Sequence, residues 1–94
     1  MGEFCSNLPM RSEPGTNVYY SSCDTNILSA ILKKIHGREA YDELPYKALF
    51  EPLGIKNATF EQDASGTFVG SSYLYLNARD LAKIGYLYLN DGVW

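Results

Sequence analysis

The sequence has no basic excess: 8 Lys+Arg stand against 11 Asp+Glu, a net charge of −3. That balance argues against a nucleic-acid partner, which asks for a basic face, and against attraction to an anionic membrane surface. No apolar run approaches the roughly 20 residues that cross a bilayer. The opening Met1-Gly2-Glu3-Phe4-Cys5 lacks both the basic start and the apolar stretch of a signal peptide; Met1 to Phe4 are compatible with vector-derived residues. Histidine occurs once, at His36, and cysteine only at Cys5 and Cys23, with no C-x-x-C pattern, so neither a metal site nor a cofactor is expected. Two cysteines do not make a disulfide framework, and the expectation is two unpaired thiols. Internal repeats and low-complexity tracts are missing as well.

What is present fits one small domain. A chain of 94 residues buries only about 60–65% of its unfolded surface, so its core is thin. Tyrosine is the outlier, with eight copies beside four Phe and one Trp. A buried Tyr still needs a partner for its hydroxyl, so this abundance fits either an aromatic-rich core or the half-wet wall of a cleft.

Pro9, Pro14 and Gly15 make residues 1–18 read as irregular, with Glu13-Pro14-Gly15-Thr16 as a turn. Ile27, Ile31 and Ile35, flanked by Leu28 and Leu32, form an apolar stripe at helical spacing and predict a helix over Asp24–His36. Ser22 or Asp24 suits its N-cap and Gly37 its left-handed end, while Lys33, Lys34 and His36 fall where the helix dipole favours positive charge. A second helix is expected over Arg38–Phe50, interrupted at Pro45, which lacks a backbone donor. Ala58–Glu61 and Thr67–Val69 are β-prone around an Asp63-Ala64-Ser65-Gly66 turn, which fits a small hairpin or an extended loop. The last helix is expected over Ala78–Asn90, capped by Asn77 with Asp80 three residues on, its apolar face formed by Leu81, Ile84, Leu87 and Tyr88. Gly85 inside it costs about 1 kcal/mol against Ala, which a close helix contact would explain.

Local pattern alone announces no active site. However, Pro14-Gly15-Thr16-Asn17-Val18-Tyr19-Tyr20-Ser21-Ser22 resembles the P-G-T-x-x-x-Y-[SA]-[NS] element of class C β-lactamases, related esterases and D-aminopeptidase-like hydrolases. Phe50-Glu51-Pro52-Leu53-Gly54-Ile55 and the stretch Ala78 to Trp94 agree in order and rough spacing. The Tyr-Ser-Ser version, with Arg79-Asp80 and Gly92-x-Trp94, looks closest to the esterase and 6-aminohexanoate-dimer hydrolase branch of this penicillin-recognising superfamily of serine hydrolases.

The resemblance implies that Tyr20 is the general base of the parent enzyme, moving a proton between a nucleophilic Ser and the leaving group. A phenol has a pKa of about 10, so ionising it at pH 7 costs roughly 4 kcal/mol, and neighbouring lysines supply that stabilisation. The family takes those lysines from S-x-x-K and often K-T-G. Neither is here: Ser6, Ser12, Ser21, Ser22, Ser29, Ser65, Ser71 and Ser72 all lack a Lys three residues on, and no Lys-Thr-Gly or His-Thr-Gly occurs. The chain corresponds to the stretch between those motifs. Ser22 replaces an Asn common in β-lactamases. A hydroxyl cannot offer both an amide donor and a carbonyl acceptor, which leans specificity towards esters or other amides. Ser22 and Tyr73 are the candidate substrate-binding residues, Ser22 also suiting a cap and Tyr73 also suiting buried packing. Arg79 and Asp80 read as structural, one capping the last helix and the other pairing locally.

The expected fold is mainly α: residues 1–94 as a single partial domain, the helical lobe of a β-lactamase-like fold with a short β-hairpin or loop and without the α/β lobe. The expected parent hydrolyses carboxylic esters or small amides through an acyl-enzyme, with β-lactam hydrolysis as the alternative. The ending on Val93-Trp94 reads as truncation. Its partners would be the remainder of the parent enzyme and the parent's small ester or amide substrate. An excised lobe leaves apolar faces uncovered, so the isolated chain is expected to self-associate, as a dimer. A non-catalytic, self-associating helical module is the rival expectation from another class.

Overall fold

The computed structural model describes all residues from Met1 to Trp94. Along the chain run α1 (Gly2–Ser6), α2 (Ser22–His36), α3 (Arg38–Pro45), a π-type turn (Tyr46–Phe50), β1 (Thr59–Phe60), β2 (Leu74–Tyr75) and α4 (Ala78–Leu89). The mainly helical class with one short antiparallel ladder is as expected. The radius of gyration is 14.8 Å, against about 12 Å for a compact domain of this length, so the core is thin and the outline spread.

α2 begins two residues before the predicted start. Its N-cap is Ser21, whose Oγ accepts from the Cys23 amide at 3.1 Å. Ser22 and Asp24, the expected caps, lie inside the first turn instead. The reason is that Ser21 holds the extended backbone a cap needs, at φ −141° and ψ 130°. Gly37, at φ +76°, ends α2 and starts α3. Pro45 closes α3, and the next turn widens: the Glu51 amide donates to the Tyr46 carbonyl and Ile55 to Phe50, each five residues back and each 2.8 Å. Proline supplies no N–H to the helical ladder, and the i→i+5 pattern absorbs the break.

Packing of α2 inverts the expected pattern. Its buried residues are Asn26 and Ser29, whereas Leu28, Ile31, Leu32 and Ile35 of the apolar stripe face solvent. The polar face is buried because α3 and the hairpin meet it through hydrogen bonds. Ser29 Oγ donates to the Phe68 carbonyl at 2.7 Å and pairs with the Tyr41 hydroxyl at 2.7 Å, and that hydroxyl accepts from the Phe68 amide at 2.9 Å. With Ser29 and Phe68 donating in those bonds, the Tyr41 proton goes to Ser29, and all three residues are satisfied in one ring. Phe68 lies between two aromatics, 4.8 Å from Phe60 and 5.1 Å from Tyr41 between centroids.

The ladder pairs differently from the predicted hairpin. Thr59 and Phe60 pair with Tyr75 and Leu74, not with Thr67–Val69. Thr67–Val69 instead folds back across the Asp63–Gly66 turn through the single bridge Gln62 to Phe68. Glu61 serves both levels, donating to Tyr73 and accepting from Val69. Thus Phe68 is turned inward, which local alternation could not specify.

A second centre gathers Phe50, Leu53 and Ile55, with Ile84 and Leu87 of α4 against them. Asn77 caps α4 by accepting from the Asp80 amide at 2.8 Å and donates back to the Asp80 carboxylate at 2.9 Å, a reciprocal cap as predicted. Lys83 bridges that buried carboxylate, at 2.9 Å, and the Gly54 carbonyl, at 3.0 Å. Asp80 therefore both strengthens the cap and pairs locally, whereas Arg79 is exposed and makes no salt bridge. Leu81 and Tyr88, expected to face inward, are exposed. Gly85 has no atom within 4 Å of an added Cβ, so the close contact expected there is absent.

The first residues correct two expectations. Gly2–Ser6 form a helix rather than irregular chain, packed so closely on α2 that a Cβ at Gly2 would lie 2.6 Å from Ala30 Cβ. That packing brings Cys5 beside Cys23, and the two form a disulfide with Cα atoms 5.3 Å apart. Sequence spacing gave no signal of the pairing, because an irregular loop separates the partners and α1 was not foreseen. Closing a loop with a separation of 18 residues removes denatured-state entropy worth about 3 kcal/mol.

Candidate active site

Residues 7–21 join α1 to α2 without regular structure and carry the Pro14 to Tyr20 motif. Glu13-Pro14-Gly15-Thr16 forms the predicted turn, closed by the Thr16 amide and Oγ1 on the Glu13 carbonyl at 3.3 and 2.6 Å. Gly15 supplies the φ of +78° that this turn requires. Arg11 stacks its guanidinium over Tyr19 at 3.9 Å from the ring centre, a geometry that suits a cation on an aromatic face. Every side-chain hydrogen bond of residues 8–20 stays within the loop.

Tyr20 lies on extended chain immediately before the α2 cap, 97% exposed. No charged or polar side chain of this chain bonds its hydroxyl. Ser22 is exposed on the first turn of α2, and its carbonyl accepts from Thr25 Oγ1 at 3.0 Å. Tyr73, whose alternative was buried packing, is 52% exposed and sits at φ +61°. A bulky residue rarely adopts that left-handed backbone, which costs of order 1–3 kcal/mol. The segment before it docks on the same end of α2 that follows Tyr20. Ser71 Oγ lies 3.5 Å from Asn26 Nδ2, and a Cβ at Gly70 would meet the Thr25 carbonyl oxygen at 2.8 Å. α2 therefore carries Ser22 at its start and the Tyr73 segment on its first turns.

A cavity of about 560 Å³ opens between the loop and the start of α2, with Met10, Arg11, Tyr19, Ser21 and Asp24 in its wall. Tyr20 points outside it. The disulfide sulfurs and the Arg11–Tyr19 stack were missed at the level of sequence. Only the positions of Cys5 and Cys23 on either side of the motif could have drawn attention to the former.

One perturbed carboxylate stands away from this site. Asp63 accepts from the Met1 ammonium at 2.7 Å, from Ser65 Oγ at 2.6 Å, and from the Thr67 and Ser65 amides at 3.1 and 2.9 Å. The ammonium first, then the Ser65 hydroxyl, hold its carboxyl well below the usual carboxylate range, against the opposing effect of burial. Its four donors make it a turn anchor, with no lone pair directed at a substrate.

The helical scaffold thus offers a tyrosine without a hydrogen-bond partner on an extended strap. The β-lactamase family model matches residues 1–93, and the chain belongs to that family. Membership supports a serine-hydrolase type of parent. No curated protein and no solved structure matches the chain.

Proposed function

We propose that this chain is the tyrosine-bearing segment of a serine hydrolase of the class C and esterase branch, acting on carboxylic esters or small amides through an acyl-enzyme. The observation that carries the proposal is the match over residues 1–93 combined with a Tyr20 that is 97% exposed and bonded to nothing in its own chain. Tyr20 is the general base of the parent. The nucleophilic Ser and the lysines that stabilise its phenolate come from S-x-x-K and K-T-G segments in the remainder of the enzyme. Ser22 and Tyr73 face the substrate from the start of α2 and from the strained end of the hairpin. The Ser hydroxyl at position 22, in place of an amide, favours esters and simple amides over β-lactams.

The exposed Leu28, Ile31, Leu32 and Ile35 of α2 support a covering partner, which is the remainder of the parent enzyme. The same stripe favours dimer formation by the isolated chain. Sedimentation equilibrium checks this, and a stable monomer at high micromolar concentration rejects the dimer.

The deciding experiment reads the DNA on either side of the coding segment and assays the longer product. An in-frame S-x-x-K upstream, with p-nitrophenyl acetate hydrolysed faster than nitrocefin, is the expected result. Burst acylation of a serine in the 94-residue chain alone would overturn it, because the nucleophile would then lie within this sequence.

A further inference from the structure

We propose that the Cys5–Cys23 disulfide is a redox-controlled clamp on the loop that presents Tyr20: closed, it holds residues 8–21 in place, and opened to two thiols, it releases them. The purpose of the clamp rests on the function proposed above; its existence does not. The two cysteines sit at the two roots of the loop, Cys5 near the end of α1 and Cys23 on the first turn of α2, with Cα atoms 5.3 Å apart. Between those roots residues 9–20 bond only to one another, through Thr16 to Glu13, Asn17 to Thr16 and Arg11 over Tyr19. Val18 and Tyr20 are essentially fully exposed, so neither is anchored by apolar packing. The other ties at the N-terminal root are made by residues before Cys5: α1 is seated through Gly2 on Ala30, and the Met1 ammonium binds the Asp63 carboxylate at 2.7 Å. A helix that short has little stability of its own.

Opening is chemically accessible. Cys5 is buried but Cys23 is partly exposed. One thiolate of a dithiol attacks the Cys23 sulfur, the S–S bond breaks, and Cys5 leaves as a thiolate that takes up a proton. The second thiol of the reagent then closes a ring on the first, and Cys23 departs as a thiol. The protein disulfide gains two electrons and the dithiol becomes a cyclic disulfide. The C-terminal root stays capped by Ser21, so release lets the strap swing about the α2 end, next to which Tyr20 lies, and loosens the position of Tyr20.

The test is limited trypsin digestion of the chain with and without dithiothreitol, and of the C5S/C23S double variant, followed by mass mapping. Arg11 lies inside the loop, and Lys56, in the turn before β1, lies outside it. Cleavage after Arg11 is expected to speed up about tenfold on reduction and in the double variant, with cleavage after Lys56 changing less than about twofold, because local opening sets the rate of nicking. Equal acceleration at both sites would overturn the clamp, since the bridge would then only stabilise the whole chain. An unchanged rate at Arg11, or two free thiols titrating in the untreated chain, would overturn it as well. Neither readout uses hydrolysis, so failure of the clamp and failure of the hydrolase proposal are separate results.

Discussion

Two irregular stretches of this chain lie on the same helix and are held in opposite ways. Residues 61–73 are tied to the rest of the molecule by side chains from several elements: Ser29 and Tyr41 on Phe68, Asp42 on Gln62, Lys33 on Ser65 and Thr67, and the Met1 ammonium on Asp63. Residues 8–20 have no such side-chain tie, and the disulfide, the α1 packing on α2 and the Ser21 cap hold their ends. The difference follows burial. Thr67, Phe68 and Val69 are buried, so their backbone groups must be satisfied inside the protein. The Tyr20 loop lies in water, which satisfies its backbone at no structural cost. Order is therefore concentrated in the stretch that ends on Tyr73, proposed only to contact substrate, while Tyr20, proposed as the general base, stands on the stretch that is less tied.

The strongest way to break this contrast is Tyr41→Phe. It strips the Phe68 amide of its acceptor and Ser29 of its donor, so a loss of about 1–3 kcal/mol is expected in urea unfolding. A loss under about 0.5 kcal/mol would mean that the hairpin is not anchored through this ring.

Acid comes next. Because the folded pKa of Asp63 lies below its usual 3.8, its stabilisation is complete above that value and is lost as pH falls through the folded pKa. Thermal melts should show the chain weakening below about pH 4. D63N should lower stability by about 1–2 kcal/mol at neutral pH and flatten the acid slope. An unchanged slope in the variant would assign acid sensitivity to other carboxylates.

Gly85→Ala gives a reference belonging to neither stretch. With open space around the added Cβ, a gain of about 1 kcal/mol is expected in the same melts. Destabilisation would reveal a contact at that face, as an associated form would provide.

Tyr20→Phe should have the smallest effect on folding, within about 0.5 kcal/mol, while lowering kcat of the proposed longer hydrolase by a factor of about 10² or more. A destabilised variant, or one with unchanged kcat, would remove Tyr20 from the role proposed for it.

Helices α2, α3 and α4 were legible in the sequence to within a few residues, because Gly37, Asn77, Pro45 and the spacing of Ile27, Ile31 and Ile35 act locally, whereas α1 was not. The side of α2 that would be buried was not legible. Apolar spacing pointed to the isoleucine stripe, but the chain contains no surface that covers it, and Ser29 found partners in Tyr41 and Phe68 instead. The short antiparallel ladder was legible but its partners were not: Thr67–Val69 folds back across the Asp63–Gly66 turn onto Gln62 and Glu61, while Thr59 and Phe60 pair with Tyr75 and Leu74. In the candidate site, the motif around Tyr20 could be read directly, whereas the bridge at its roots could not, since it depends on a five-residue helix that forms only against α2.

By itself, then, the sequence determined the family, the positions of the principal helices, the turn before Tyr20 and the absence of S-x-x-K and K-T-G motifs. Each of these is set by residue identity over a short span. Only the tertiary structure decided that Cys5 meets Cys23, that the polar face of α2 is the inner one, and that Tyr73 adopts a left-handed backbone beside the start of that helix. These depend on which distant groups become buried together, where unmade hydrogen bonds cost more than exposed leucines do.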